Sequence, residues 1–552
     1  MPARVALDSH INRSSCHLYS LKNSHLDYSL ARGGENLLPS GPYFLYNDGI
    51  YEAWRLYPDD LDAFEVAVVL QDRYRPARWD QYTSNNQAAA SWPWPARFSP
   101  LKLLDQEGLW KSIAVPSRLY AQKSRKHPLA GVRISVKDNS KLAGIKTTMT
   151  NRAFTQLYPA EFETAEYVET LLRLGAIIVG KSKMCSFAAG ENPGDWIDSH
   201  CPVNPRGDQY QSPGSSTAGG GASLAGYSWL DYSIGTDTAG SIRAPAACNG
   251  LFGLRPSFGA ATLNGVFPLS RDHDTVGFLS RRLDSLQELV RDTTNLKEPK
   301  TLSTRILYPK EFFPVANDEQ QILLENYICV LESHLKAPRI EFSLVELWAR
   351  CPPREAEGKS LHEYLGNSIS HQYYYDAYHE YDGFRKDYRD TYGREAYGGP
   401  LVKYRWDKGA SLTVEERDEG KAQLAVFRQW FYENVLKQDS DSLSDSVLVL
   451  PEGKAVPEYR DEAVPFSILE ILGENTLAMV LELPHLVLPI GQNSYESRAS
   501  GRTEHRPVSG SLVGAKGSDL MLIRLAHEAF ESAGWQTEVQ TGRYTFSLDT
   551  TT

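Results

Sequence analysis

No apolar run in this sequence approaches the ~18 residues that a membrane-crossing helix needs, so a membrane span is not expected. Basic charge is also in deficit: 58 Lys and Arg stand against 69 Asp and Glu, a formal net charge of -11. Without a general positive field to attract a phosphate backbone, nucleic acid is not an expected partner, and small molecules or proteins are. Six cysteines (Cys16, Cys185, Cys201, Cys248, Cys329, Cys351) are scattered with no C-x-x-C pair. That spacing argues against a disulfide framework and against a zinc knuckle, so buried thiols and no metal are expected. The opening "MPARVALDSHINRSS" lacks the apolar core of a secretory signal and the closing "TGRYTFSLDTTT" matches no retention or lipidation tail, so the expected location is cytoplasmic.

Three familiar signatures are missing as well. "GAIIVGKS", residues 175–182, satisfies the letters of a P-loop, but its apolar, β-branched middle reads as a strand lying between the glycines rather than before them. "GGGASLAG" places Leu224 where a dinucleotide fingerprint needs its last glycine. The G-x-S-x-G elbow of Ser-His-Asp hydrolases fails at Ser241, which is flanked by Ala239 and Arg243 where glycines belong. No cofactor is expected, and none of the 13 histidines adjoins the serine-rich segments.

What is present begins with length. At 552 residues the chain exceeds the ~250–300 at which single cores stop growing, so one large domain with an appendage, or two domains, is expected. Residues 1–95 carry short strand-like runs ("YFLYND", "FEVAVVLQD") between turn residues and read as a small α+β domain followed by a linker, "SNNQAAASWPWPARFSP". Residues 96–552 read as the main domain, with strands alternating with helices in the α/β pattern. In residues 160–175, Ala165, Val168, Leu171, Leu172 and Leu174 form one helical stripe leading to the buried strand "IIVGKS". A long amphipathic helix opens at Thr413, with Glu416 in capping-box spacing, and "VLVLPEG" and "LVLPIG" read as buried strands. Ten of the 30 tyrosines fall within residues 361–404, an apparent insertion whose rings either pack helices together or wall a pocket.

The chemistry concentrates in two neighbouring stretches, "SPGSSTAGGGASLAG" (212–226) and "GTDTAGSIRAPAACNG" (235–250). Serine is a weak nucleophile, so a mechanism through Ser241 requires a positioned base and N–H donors for the oxyanion that develops in acyl transfer. Small residues beside Ser241 let a substrate carbonyl approach the backbone. A base is offered by "GVRISVKDN": Val132, Ile134 and Val136 share one face of a strand, leaving Lys137 on the other with Arg133 and Ser135. Burial lowers a lysine's pKa, and only the neutral amine accepts a proton.

Residues 131–259, from "GVRISVKDN" to "GLFGLRPSFG", resemble the amidase signature family of serine hydrolases, with weaker resemblance in "KGASLTVEER", "LELPHLVLPIG" and "GSDLMLIRLAHEAFE". The N-terminal appendage is similar to that of fungal amidase-like proteins. The resemblance implies a large twisted mixed β-sheet covered by helices on both faces. It implies Ser241 as the acyl-forming nucleophile, Lys137 as the ultimate base, and a bridging hydroxyl on a cis peptide between them. Family spacing from the nucleophile selects Thr217 for that relay, whereas counting from Pro213 and Gly214 selects Ser216; the ungapped stretch up to Ser241 favours Thr217. Thr238, Ala239, Gly240 and Ser241 would offer oxyanion-hole N–H groups, and Asp237 and Arg243 would brace the loop as an ion pair. Two departures, Ala239 and Met149, stand where the family has smaller residues, and Ala239 would be strained if its position needed a left-handed backbone. The expected activity is cleavage of a small-molecule amide or ester by a possible homodimer. Acyl transfer to an amine is the enzymatic alternative. A non-catalytic binding module is the other alternative, and the pairing of Lys137 with Ser241 argues against it.

Overall fold

The structure, a computed structural model, describes residues 17–20, 42–46, 49–52, 54–71, 97–105, 107–466, 469 and 472–548. Most of the expected linker, and Cys16, lie outside the described residues. Twelve strands form one mixed sheet in the order Arg339–Phe342, Ile306–Pro309, Val447–Glu452, Thr503–Val513, His485–Glu496, Phe252–Arg255, Thr275–Ser280, Tyr232–Asp237, Arg133–Lys137, Ile177–Ser182, Phe64–Gln71 and Arg97–Pro100. The run "FEVAVVLQD", expected in an appended domain, therefore belongs to the main sheet: Phe64–Gln71 pairs antiparallel with Ile177–Ser182. The boundary drawn at residue 95 falls inside the sheet's connectivity rather than at its border. Farther upstream, His17–Ser20, Pro42–Tyr46 and Gly49–Glu52 form a separate three-stranded antiparallel sheet.

Three parallel neighbours, Ile177–Ser182, Arg133–Lys137 and Tyr232–Asp237, are buried on both faces, as covered parallel strands must be. Alternation along Tyr232–Asp237 shows which helix lies on which face. The Tyr232 hydroxyl donates to the carbonyl of Ser285 in helix Leu283–Thr293. Ser233 points the other way, toward helix Ala218–Gly226, where a Cβ on Gly220 would come within 2.5 Å of Ser233 Oγ. The glycine run is thus explained by close packing. A Cβ on Gly219 would stand 2.1 Å from the Ala63 carbonyl oxygen, so a larger residue would push this short helix off the sheet.

The expected helices are present. Glu166–Arg173 buries Tyr167, Val168 and Leu171, and Val414–Asn434 opens on a reciprocal capping box in which Thr413 Oγ1 accepts from the Glu416 amide at 3.2 Å. "IIVGKS" is a buried strand whose Lys181 pairs with Asp138 at 3.0 Å, both fully enclosed. The tyrosine-rich segment forms helices Leu361–Leu365, Ser368–His379 and Asp382–Tyr392 and enters a fourth, Pro400–Ala410. Their buried rings, among them Tyr373, Tyr381, Phe384 and Trp406, close over Met149, Phe154 and Phe187 to form an aromatic cluster. Ala239, beside Ser241, packs against that cluster. Among the described residues no helix is long and apolar enough to cross a membrane.

Candidate active site

The carboxyl ends of two adjacent parallel strands hold the site, the position where open α/β sheets leave a crevice. Arg133–Lys137 ends on Lys137 and Tyr232–Asp237 ends on Asp237, with Val136 opposite Ile234. Lys137 stands on the polar face of its strand, beside a hydrogen bond from Ser135 Oγ to Ser233 Oγ. Its ammonium group is fully buried and meets Ser216 Oγ at 2.7 Å, Thr236 O at 3.1 Å and Thr236 Oγ1 at 3.0 Å. Asn139 Nδ2 donates to the same Thr236 hydroxyl at 3.1 Å. Burial depresses the lysine to about 8, against a partial pull upward from Cys185, Asp237 and Asp274.

The peptide joining Ser215 to Ser216 is cis. Spacing favoured Thr217 over Ser216, but it is Ser216 that is hydrogen-bonded to the lysine, and Thr217 is not. The Thr217 hydroxyl, fully buried, has no hydrogen-bond partner among the described residues, and its methyl fills a notch between two glycines: Cβ atoms on Gly220 and Gly235 would each approach Thr217 Cγ2 to 2.7 Å. The Thr217 amide donates to the Ser241 carbonyl at 3.2 Å, and the Cys185 amide donates to the Ser216 carbonyl at 3.3 Å. These two bonds tie the hydroxyl-rich loop to the nucleophile loop on one side and to the Cys185 segment on the other. Ser241 retains 8% exposure while Lys137 and Ser216 have none, so Ser241 alone of the three is reached from outside.

Below Ser241, Asp237 organises the turn. Arg243 Nη2 meets its Oδ1 at 2.8 Å, and Arg255, not singled out from the sequence, meets the same oxygen at 3.0 Å. Burial alone would raise the Asp237 carboxyl, yet the two guanidinium groups hold it well below the usual carboxylate range. The same carboxylate accepts the amides of Gly240 (3.1 Å) and Ile242 (3.0 Å). Gly240, expected among the oxyanion donors, thus spends its N–H on Asp237. The left-handed position in this turn is Gly240, at φ +108°, and not Ala239, so the expected strain at Ala239 does not arise. Thr238 is fixed by its hydroxyl on Asp274 (2.5 Å) and by Arg255, whose Nη1 donates to its carbonyl (3.1 Å).

Two histidines approach this brace from distant sequence. His485 Nδ1 lies 3.0 Å from Arg243 Nη1, and His273 gives its carbonyl to Arg255 Nη2 at 2.8 Å. Burial pushes both imidazoles down, His273 to about 3, so each is neutral, and neither hydrogen-bonds Ser241. Among the described residues no cluster of His, Cys, Asp and Glu is arranged to hold a metal.

Residues 104–324 match the Amidase family model. The chain is 27% identical to a glutamyl-tRNA(Gln) amidotransferase subunit of Sulfolobus acidocaldarius over 430 residues, covering 73% of this chain and 85% of that protein. Over 162 residues it is 35% identical to the mandelamide hydrolase of Pseudomonas putida, covering 29% of this chain and 31% of the other. Its fold is similar to a crystal structure described as an amidase, with TM-score 0.56 and 24% identity over 74% of this chain and 86% of that one. The region matched by the Amidase model contains Lys137, Ser216 and Ser241, and the similarity to the amidotransferase subunit extends over 73% of this chain.

Proposed function

We propose that this protein is an amidase-type serine hydrolase that cleaves a small-molecule amide or ester through an acyl-enzyme on Ser241. The observation that carries the reading is the hydrogen bond between the enclosed Lys137 amine and Ser216 Oγ. A neutral amine has two N–H donors and one lone pair. The Thr236 carbonyl can only accept, and the Thr236 hydroxyl sits at the second donor position, so the lone pair faces Ser216. Ser216 then donates its proton to Lys137 and takes the proton of Ser241, whose Oγ attacks the substrate carbonyl carbon.

The oxyanion of the tetrahedral intermediate is received by the N–H groups of Thr238, Ala239 and Ser241. Gly240 acts through the geometry of the turn, since Asp237 already takes its N–H. Collapse breaks the C–N bond, and the proton held by Lys137 returns through Ser216 to the departing amine. Water repeats the sequence on the acyl-enzyme and releases the acid. Labelling with a fluorophosphonate, followed by mass mapping, tests the reading: modification of Ser241 in the wild type and its loss in Lys137→Ala support it. A chain that resists the reagent under conditions where it is folded contradicts it.

A further inference from the structure

Resting on that reading, a second feature of the same site bears on what it accepts. Arg405, on helix Pro400–Ala410, turns its guanidinium toward the segment that precedes Ser216. A Cβ built on Gly190 would lie 3.5 Å from Arg405 Nη2 and 4.0 Å from Ser215 Oγ, so the guanidinium and the hydroxyl flank the same glycine. Arg405 Nη1 donates to the Tyr373 hydroxyl, and its Cζ stands 5.0 Å from the centre of that ring. Tyr373 is fully enclosed in the cluster against which Ala239, two residues before Ser241, packs. The guanidinium is therefore at the edge of the catalytic neighbourhood.

Its electrostatic situation differs from that of its neighbours. Arg385 pairs with Asp382 and Arg389 with Glu395, whereas Arg405 has no carboxylate within 4 Å among the described residues. The nearby buried acid, Glu191, is pushed up to about 8 by burial and takes the Ser186 amide on Oε2 at 2.8 Å, so at neutral pH it is mostly uncharged and offsets little of the arginine's charge. A half-buried guanidinium offers five donors in a planar fork, and one phenol satisfies one of them. The group that completes such a fork is a carboxylate, which takes two parallel N–H bonds.

We propose that Arg405 is a specificity residue that binds a carboxylate carried by the substrate, making the substrate class an amide that also bears an acid group.

The test uses the whole chain and the rate at which a fluorophosphonate labels Ser241. Succinamate, glutaramate and adipamate are compared as competitors with their neutral diamides. In the wild type at least one acid should slow labelling about ten- to a hundredfold more than its diamide, the scale of a lost charge-assisted contact. Arg405→Met and Arg405→Gln should erase that difference while labelling proceeds, and Arg405→Lys should keep part of it. Labelling that is indifferent to the competitors' charge in the wild type, or a preference that survives loss of the guanidinium, overturns the assignment and leaves the serine hydrolase reading standing. Absence of labelling at Ser241 removes that reading and this inference together. Melting curves show which of the three Arg405 variants are folded, and the comparison with wild type is made on those.

Discussion

Lys137 Nζ and Ser216 Oγ, 79 positions apart in the chain, lie 2.7 Å from each other, and neither residue is exposed to solvent. Two neighbouring strand ends and one loop suffice to make that contact, and the lysine's other two bonds both go to Thr236. Proton transfer is therefore directed by what surrounds the amine rather than by the amine alone.

Replacing Ser216 by Ala should lower kcat by about 10²–10⁴-fold, the usual worth of a positioned proton-transfer group. Thr217→Val, which keeps the methyl in its glycine-lined notch and removes only an unpartnered hydroxyl, should leave kcat within a few-fold of wild type. Steady-state rates of the two purified variants decide between them. A larger loss in Thr217→Val would assign the relay to the residue that spacing favoured.

Because Lys137 takes up a proton, its neutral form is the active one. The amine is protonated below its pKa of about 8, so kcat/KM should be low in acid, rise with pH through that value and level off above it. Lys137→Ala should lose the step along with most of the activity. A profile that is flat between mildly acidic and alkaline pH, with chemistry rate-limiting, would speak against a neutral lysine base.

Ser241→Ala should abolish turnover and fluorophosphonate labelling while the melting temperature stays close to wild type, since its hydroxyl is used in bond making and not in packing. Wild-type turnover in this variant would place the nucleophile elsewhere.

Gly240→Ala should be damaging out of proportion to its size. The backbone there has φ +108°, and a Cβ would come within 2.7 Å of the Asn475 side chain. Strain at such a position costs of the order of 1–3 kcal/mol. A lowered melting temperature is expected together with slowed labelling of Ser241, measured on the same preparation. Wild-type values for both would show that the turn tolerates a side chain.

Much of the main domain could be read from residue order. The capping box at Thr413, the stripe of Glu166–Arg173 and the strand hidden in "GAIIVGKS" each follow from local pattern, which needs only neighbours in the chain. Lys137 and Ser241 stood out because their motifs are long. The choice between Ser216 and Thr217 was not legible: adjacent hydroxyls differ in direction, and direction is settled by the notch between Gly220 and Gly235, which comes from two separate elements. Arg255 and His485 were missed for a similar reason, since each reaches the Asp237 brace from its own strand. The run at Phe64–Gln71 was recognised as a strand, but pattern carries no information about its partner, and it joined the large sheet instead of a separate unit.

Both margins of the twelve-stranded sheet are only four residues long, Arg339–Phe342 at one end and Arg97–Pro100 at the other. The first carries alternating charge, with Arg339 clamped by Glu325 and Glu332, and the second finishes in a proline that has no N–H to offer. Exposed sheet margins are the usual template on which a foreign strand adds and aggregation begins. By ending so short, and with charge or proline at each margin, this wide sheet leaves, among the described residues, little unpaired backbone for a second chain to extend.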